Sequence, residues 1–366
     1  MTGLLIAAGG GGDAIAAAIV HAALHGPHHP AVILTYAWDR LAVDPLPGPR
    51  TPADFTGLAT LTEGVPLIRP HTRPLTPAGS TLPRLAAELP YPLALLDPTH
   101  GARGMAAQIN AAAHAIGADR IEIVDVGGDI LAHGDEPTLR SPLADALTLA
   151  AAARTTLPTA VHIAGPGLDG ELTPADLAHR LPPAGLTLTA EHTATAAAIL
   201  DWHPSEATAL LVAATRGIHG TCEVRDAGLP VHLTAHSAAI HTLDADTALH
   251  TNHLAAALLA TNTLAQAEQL SRNLYGFSEI DHERTKATRL TQHPPPPFDP
   301  AAIPDQLDRF HTEARTRGTH YATLRRIAEA LHTPGPHRAA LRHHLTTTHP
   351  QLHQPPLWRI PNTERT

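Results

Sequence analysis

Residues 4 to 24 read LLIAAGGGGDAIAAAIVHAAL: an apolar run, four consecutive glycines, then an alanine-rich helical stretch. This junction constrains the fold more than any other stretch of the chain. A short apolar run that passes through glycine into a helix is the first half of a strand–helix–strand unit, and the pattern repeats. AVILTYA, YPLALLD, RIEIVDV and TAVHIAG read as further strands, with GMAAQINAAAHAIG, PLADALTLAAAA and PADLAHRL as helices; LTLTA, another helix and ATALLVAA extend the series. Mostly apolar strands that alternate with helices predict a mostly parallel sheet with helices on both faces. The expected fold is a Rossmann-like α/β core over residues 1–292.

The pattern changes near residue 220. CEVRDAGLPVHLTAHSAAIHTL reads as two strands joined at DAGLP, an antiparallel hairpin. Two helices follow between Ala245 and Asn273, and HPPPPFDP at 293–300 reads as a stiff extended linker. Beyond it, Leu307, Phe310, Tyr321, Leu324, Ile327 and Leu331 give residues 301–332 an apolar face, interrupted around TRGTH, that predicts a helical extension docked on the core. The histidine- and proline-rich residues 333–366 are expected to be a loosely ordered tail.

The charge balance excludes some partners. The formal net charge is -9 and the 25 Lys and Arg residues form no dense stripe, so nucleic acid is not an expected partner. The 28 histidines are scattered, are read as solvated surface, and show no H-E-x-x-H or comparable metal spacing. No apolar stretch reaches membrane-spanning length. Cys222 stands alone, which excludes an internal disulfide and a multi-cysteine zinc site and fits a reducing, cytoplasmic setting; it is expected to be a core thiol. Lys286 is the one lysine, so the opening glycines cannot form a Walker A loop, which needs a lysine just after them.

Glycines recur at the ends of the expected strands. Gly9, Gly10, Gly11 and Gly12 follow the first, and Gly9, Gly11 and Ala14 fit the relaxed dinucleotide spacing G-x-G-x-x-A. VDVGGD carries Asp125, Gly127, Gly128 and Asp129; IAGPGLDGEL carries Gly165, Gly167, Asp169, Gly170 and Glu171; LDPTHGARG is a looser fourth case. In a parallel sheet these loops open on one edge, where bare backbone and helix N-termini receive anions. The acids have two readings. They hold ribose hydroxyls, a divalent cation such as Mg2+ or a cationic group, or they cap helices, the role that fits Asp13 best. Asp39, at the end of the second strand, stands where a ribose-binding acid would sit. Asp125, in or just past an apolar strand, needs a partner because an unpaired buried carboxylate is costly.

Two polar segments add candidates. WDRLAVDPLPGPR brings Trp38, Arg40 and Arg50 toward the same rim, either for phosphate or as an arginine packed on tryptophan and paired with Asp39 or Asp44. YGFSEIDHERTKATRL holds Ser278, Glu279, Asp281, Glu283, Arg284 and Lys286, which form either a solvated helix of ion pairs or a catalytic group that retains the lone lysine.

Taken together, AAGGGGD, WDR…DPLPGPR, VDVGGDILAHGDE…SPLADALTLAA, GLDGELT, CEVRDAGLPVHLT, YGFSEIDHERTKA and LRRIAEAL resemble DUF family 1152 over residues 3 to 331. The family is uncharacterised. The resemblance implies one continuous module and no activity, cofactor or site residue. The residues themselves point to an enzyme that binds a nucleotide or other phosphorylated small molecule at the glycine loops. Group transfer or hydrolysis is favoured, with Asp125, Asp129, Glu279, Asp281 and Lys286 as catalytic candidates. The alternatives are an NAD-binding transferase that cleaves the nicotinamide glycosidic bond and a non-catalytic nucleotide sensor. The cofactor and any homo-oligomer stay open.

Overall fold

The computed structural model describes residues 2–225, 229–293, 298–333 and 335–361. The DAG of the expected hairpin joint and the four prolines of the expected linker lie outside the described residues. Five strands, β1 (Gly3–Ala7), β2 (Ala31–Thr35), β3 (Leu93–Leu95), β4 (Ile121–Val126) and β5 (Thr159–Ala164), are mutually parallel. They lie side by side in the order β3-β2-β1-β4-β5. Antiparallel strands extend both edges: Ala239–Asp244 and Leu186–Thr187 beyond β5, Val65–Ile68 and Ala59–Thr62 beyond β3. The nine-stranded sheet is thus mixed, with a parallel centre.

Successive side chains of a strand point to opposite faces, so an all-apolar strand feeds two cores at once. Leu4, Ile6, Ile121, Ile123, Val161 and Ile163 pack on one face with the Gly101–Ile116 and Pro142–Ala152 helices. Leu5, Ala7, Ile33, Val124 and Val126 pack on the other with helix α1 (Gly11–His25) and the Glu206–Thr215 helix. Among the described residues no helix is long and apolar enough to cross a membrane.

A second sheet holds the rest together. Leu229–Leu233 and Gly220–Val224 pair antiparallel, and Tyr321–Thr323, Leu357–Arg359 and His353–Gln354 follow in that order. Residues 335–361, expected as part of a loose tail, instead supply the Arg338–Thr348 helix and two of these strands. The physical reason is a third core: Leu341, Leu345 and Trp358 pack with Ile303, Leu307, Phe310 and Ile327. The indole of Trp358 is fully buried and donates its N–H to His311 Nε2 at 3.0 Å. Histidine and proline are prominent in this segment, but Leu341, Leu345, Leu352, Trp358 and Ile360 all turn into this core.

Candidate functional site

A cleft of about 140 Å3 opens at the carboxyl ends of β1, β4 and β5. Its position follows from the strand order. The chain leaves β1 toward β2 on one side, and β4 lies on the other, so a crevice remains where the connections diverge.

The glycine loop forms one wall. Gly10 has φ 143°, a conformation that L side chains rarely adopt, and α1 begins directly after it. A Cβ on Gly12 would lie 2.6 Å from the Ser205 hydroxyl, so this glycine lets the chain before the Glu206–Thr215 helix approach. Asp13, in the first turn of α1, accepts the Gly9 N–H at 2.7 Å and closes the loop on itself. The cap position of α1 is Gly10 and carries no side-chain cap, so Asp13 closes the preceding loop instead of capping the helix as expected, and its carboxylate also faces the cleft.

The floor is acidic. Asp13, Asp125 and Asp145 each present one oxygen, and these atoms lie within 4.8 Å of one another. Asp125 and Asp145 are 1% and 3% exposed, and each keeps one carboxylate oxygen, Oδ2 and Oδ1 respectively, without a hydrogen-bond partner. Asp169 Oδ2 and Glu279 Oε2 are in the same condition. Buried carboxylates without a counter-charge resist ionisation. Burial, then Asp13 and Asp169, push Asp125 well above the usual carboxylate range; burial, then Asp125 and Asp13, do the same to Asp145. Burial and then Asp145 raise Asp129 likewise. Burial lifts Asp13 to about 7 against the Gly9 N–H, and lifts Asp169 to about 7 with help from Glu171. Glu279 is pushed up to about 8 by burial and by Glu283.

Cations gather on the other side of the cleft. Arg225 Nη1 lies 3.0 Å from Glu171 Oε1 and its Nη2 donates to the Asp169 carbonyl. Burial works against Glu171, but Arg225 and Ser141 outweigh it and hold this carboxyl below its usual range. The Arg225 backbone is left-handed at φ 39°, a costly conformation for a non-glycine residue, held here by its N–H bond to Glu206 at 3.0 Å. Arg325 from the Leu324–Ala330 helix pairs with the same Glu206 at 3.2 Å, so the C-terminal extension completes the rim. Arg40 is exposed at the mouth. His203, 8% exposed, also lines the cleft; burial lowers it to about 3 and its Nε2 has no partner.

The sequence candidates divide. Gly9 to Gly12, Asp13, Asp39, Arg40, Asp125, Asp129, Asp169 and Glu279 line the cleft together. Asp39, the expected ribose acid, is already occupied: it accepts from the Thr81 N–H at 3.0 Å and the Thr81 hydroxyl at 2.7 Å. Arg50 does not reach the cleft. It pairs with Asp44 at 3.0 Å and donates to the carbonyls of Pro47 and Gly48, which ties its own loop. Gly127, Gly128 and Gly165 lie behind the wall; a Cβ on Gly127 would meet the Asp169 carboxyl at 2.3 Å, so its bareness seats an acid rather than a ligand. Asp281 faces away and binds Arg272 and Arg284, and the Arg272 contact first of all holds it down at about 2. Lys286, further along the Glu279–Gln292 helix, is not among the lining residues either.

Asp145, His203, Ser205, Glu206, Arg225 and Arg325 were not among the expected site residues. One of them had a clear sign in the sequence. Asp145 is the sole charged residue of a wholly buried helix, PLADALTLAAA.

Fold and cleft define a mixed α/β protein with a carboxylate-lined crevice at the carboxyl ends of the parallel strands. The chain belongs to the family described as protein of unknown function (DUF1152), which matches residues 4–287. The match covers the cleft acids and stops before the extension that brings Arg325. No curated protein and no solved structure matches the chain.

Proposed function

We propose that this chain is an enzyme that binds a nucleotide or other phosphorylated small molecule in the cleft and carries out group transfer or hydrolysis with a divalent cation. One observation carries the reading: Asp125, Asp145 and Asp169 place buried, unpartnered carboxylate oxygens around one cavity. A hard cation such as Mg2+ or Mn2+ takes carboxylate oxygens as ligands and bridges them to phosphate. Asp13, Asp125 and Asp145 would hold it. Arg40, Arg225 and Arg325 supply the positive rim that a phosphate needs. Glu279, with its proton held to about 8, is suited to donate or accept a proton near neutrality.

The strand order supports a Rossmann-like reading of the sheet, with the ligand at the β1/β4 divergence. The cavity suits a phosphate with its cation. It is smaller than the roughly 300 Å3 at which pockets for whole drug-sized ligands begin, so the remainder of a nucleotide would lie across the rim. This size, the occupied Asp39 and the position of Lys286 weigh against the NAD-transferase alternative. The unpaired, buried Cys222 suits a cytoplasmic setting.

Isothermal titration of the chelator-treated chain with Mn2+ should show one site, weakened at least tenfold by Asp145→Asn. A phosphate-release screen of nucleotides and phosphosugars with Mn2+ then looks for turnover. Undetectable Mn2+ binding would refute the cation, and binding without turnover of any compound would favour the nucleotide sensor.

A further inference from the structure

At the opposite end of α1, eight residues or about 12 Å along the axis from Asp13, the helix carries His21 and His25 one turn apart. The i, i+4 spacing puts both rings on one side, and that side faces Glu122 of β4. His25 Nε2 lies 2.7 Å from Glu122 Oε1, and His21 Nδ1 lies 3.5 Å from Glu122 Oε2. The three residues can each offer one ligand atom, all within 4.8 Å of one another. Neither His21 Nδ1 nor Glu122 Oε2 has a hydrogen-bond partner, although both side chains are buried. The histidines were expected to lack metal-binding spacing; this pair has it.

We infer that His21, His25 and Glu122 form a binding site for a Zn2+-like transition-metal ion, independent of the cleft. Tetrahedral zinc with bonds of about 2.0–2.1 Å separates its ligand atoms by roughly 3.3 Å, so the present spacing needs only small side-chain shifts. The second shell is in place. His21 Nε2 faces the His29 carbonyl at 3.3 Å; donating there leaves the Nδ1 lone pair toward Glu122, the tautomer a metal requires. The His29 ring stands beside it, Nδ1 to Nε2 at 3.3 Å. Gly3 makes the room: a Cβ there would lie 2.7 Å from His21 Cε1. The last turn of α1 adds the negative end of the helix dipole, which favours a cation. Two imidazoles and one carboxylate leave a fourth position for water. The ion would fasten the end of α1 to the β4 strand.

Co2+ is the probe, because its visible absorption reports coordination by nitrogen in a four- or five-coordinate site. The full chain, stripped by chelator, should take up one equivalent of Co2+ with such a band, and Zn2+ should displace it. His25→Ala, at a partly exposed position, should weaken binding at least tenfold with the fold intact by circular dichroism; Glu122→Gln should do the same. Asp145→Asn, in the cleft, should leave the band unchanged, which separates this site from the proposed cation of the floor. A stripped chain that takes up no Co2+, only a weak six-coordinate spectrum, or a band that survives His25→Ala would each overturn the assignment.

Discussion

Glu122 and Asp125 stand three positions apart on one strand, and their surroundings treat them in opposite ways. Odd spacing sends them to opposite faces of the sheet. Burial raises both, but for Glu122 the imidazoles of His21, close by at 3.5 Å, and His25, hydrogen-bonded at 2.7 Å, outweigh it and bring the carboxyl to about 2. Asp125 has only Gly128 and Ile130 N–H groups to offset burial, while Asp13 and Asp169 add to it, and it ends well above the usual range. A buried acid is cheap where a base was folded in beside it and costly where its neighbours are other acids. At the amino end of the sheet Glu122 meets two imidazoles; at the carboxyl end Asp125 meets Asp13 and Asp169.

The contrast is open to attack by mutation. Glu122→Ala should give the largest stability loss, about 3 kcal/mol by urea unfolding at pH 7, the usual scale for breaking a buried pair. Because the folded Glu122 lies below its ordinary value, its contribution is present above about pH 4.5 and fades as acid approaches its folded pKa. A variant that unfolds like the native protein would erase the distinction between the two ends. Asp145→Asn should act with the opposite sign. Without divalent ions at pH 8 it should melt higher than the native protein, since it removes one of the mutually repelling carboxylates.

A pH series sharpens the same point. Asp13, Asp169 and Glu279 have folded values of about 7, 7 and 8, above those of the unfolded chain. The folded state therefore holds more protons than the unfolded state in this range, and stability must fall as pH rises. The window from about pH 7.5 to 8.5 isolates this effect, because buried histidines such as His203 and His311, lowered to about 3 and about 4, oppose it only until the unfolded chain's histidines have lost their protons, about a unit above 6.5. Melting temperature in chelator should decline across the window, and Mn2+ should flatten the decline. A flat chelator curve would mean that the floor acids are already paired. The smallest effect belongs to Asp281→Ala, whose partly exposed ion pairs are worth under about 1 kcal/mol and whose loss should leave Mn2+ binding unchanged.

Much of this was legible in the sequence. Mostly apolar strands such as LLIAA and AVILTYA can only be buried on both faces, so the parallel centre followed from them. Asp125 declared itself because it interrupts such a strand. Other features depended on long-range approach. Gly127 looks like a ligand-contacting glycine until Asp169 is seen packed over it, and Arg50 looks like a phosphate clamp until Asp44 takes it. Arg225 carries no local mark, since its position depends on a strained backbone held by Glu206. His21 and His25 were hidden by abundance: among so many histidines, a pair one turn apart whose carboxylate lies on a strand 97 residues beyond His25 looks like any other.

Arg325 enters the cleft from beyond the stretch shared with the family, after every acid of the floor has been made. During synthesis the acids of the hollow therefore emerge first, and the arginine that pairs with Glu206 at its rim emerges afterwards. A nascent chain interrupted before that helix would carry the whole acidic floor with Glu206 at its rim still short of this counter-charge.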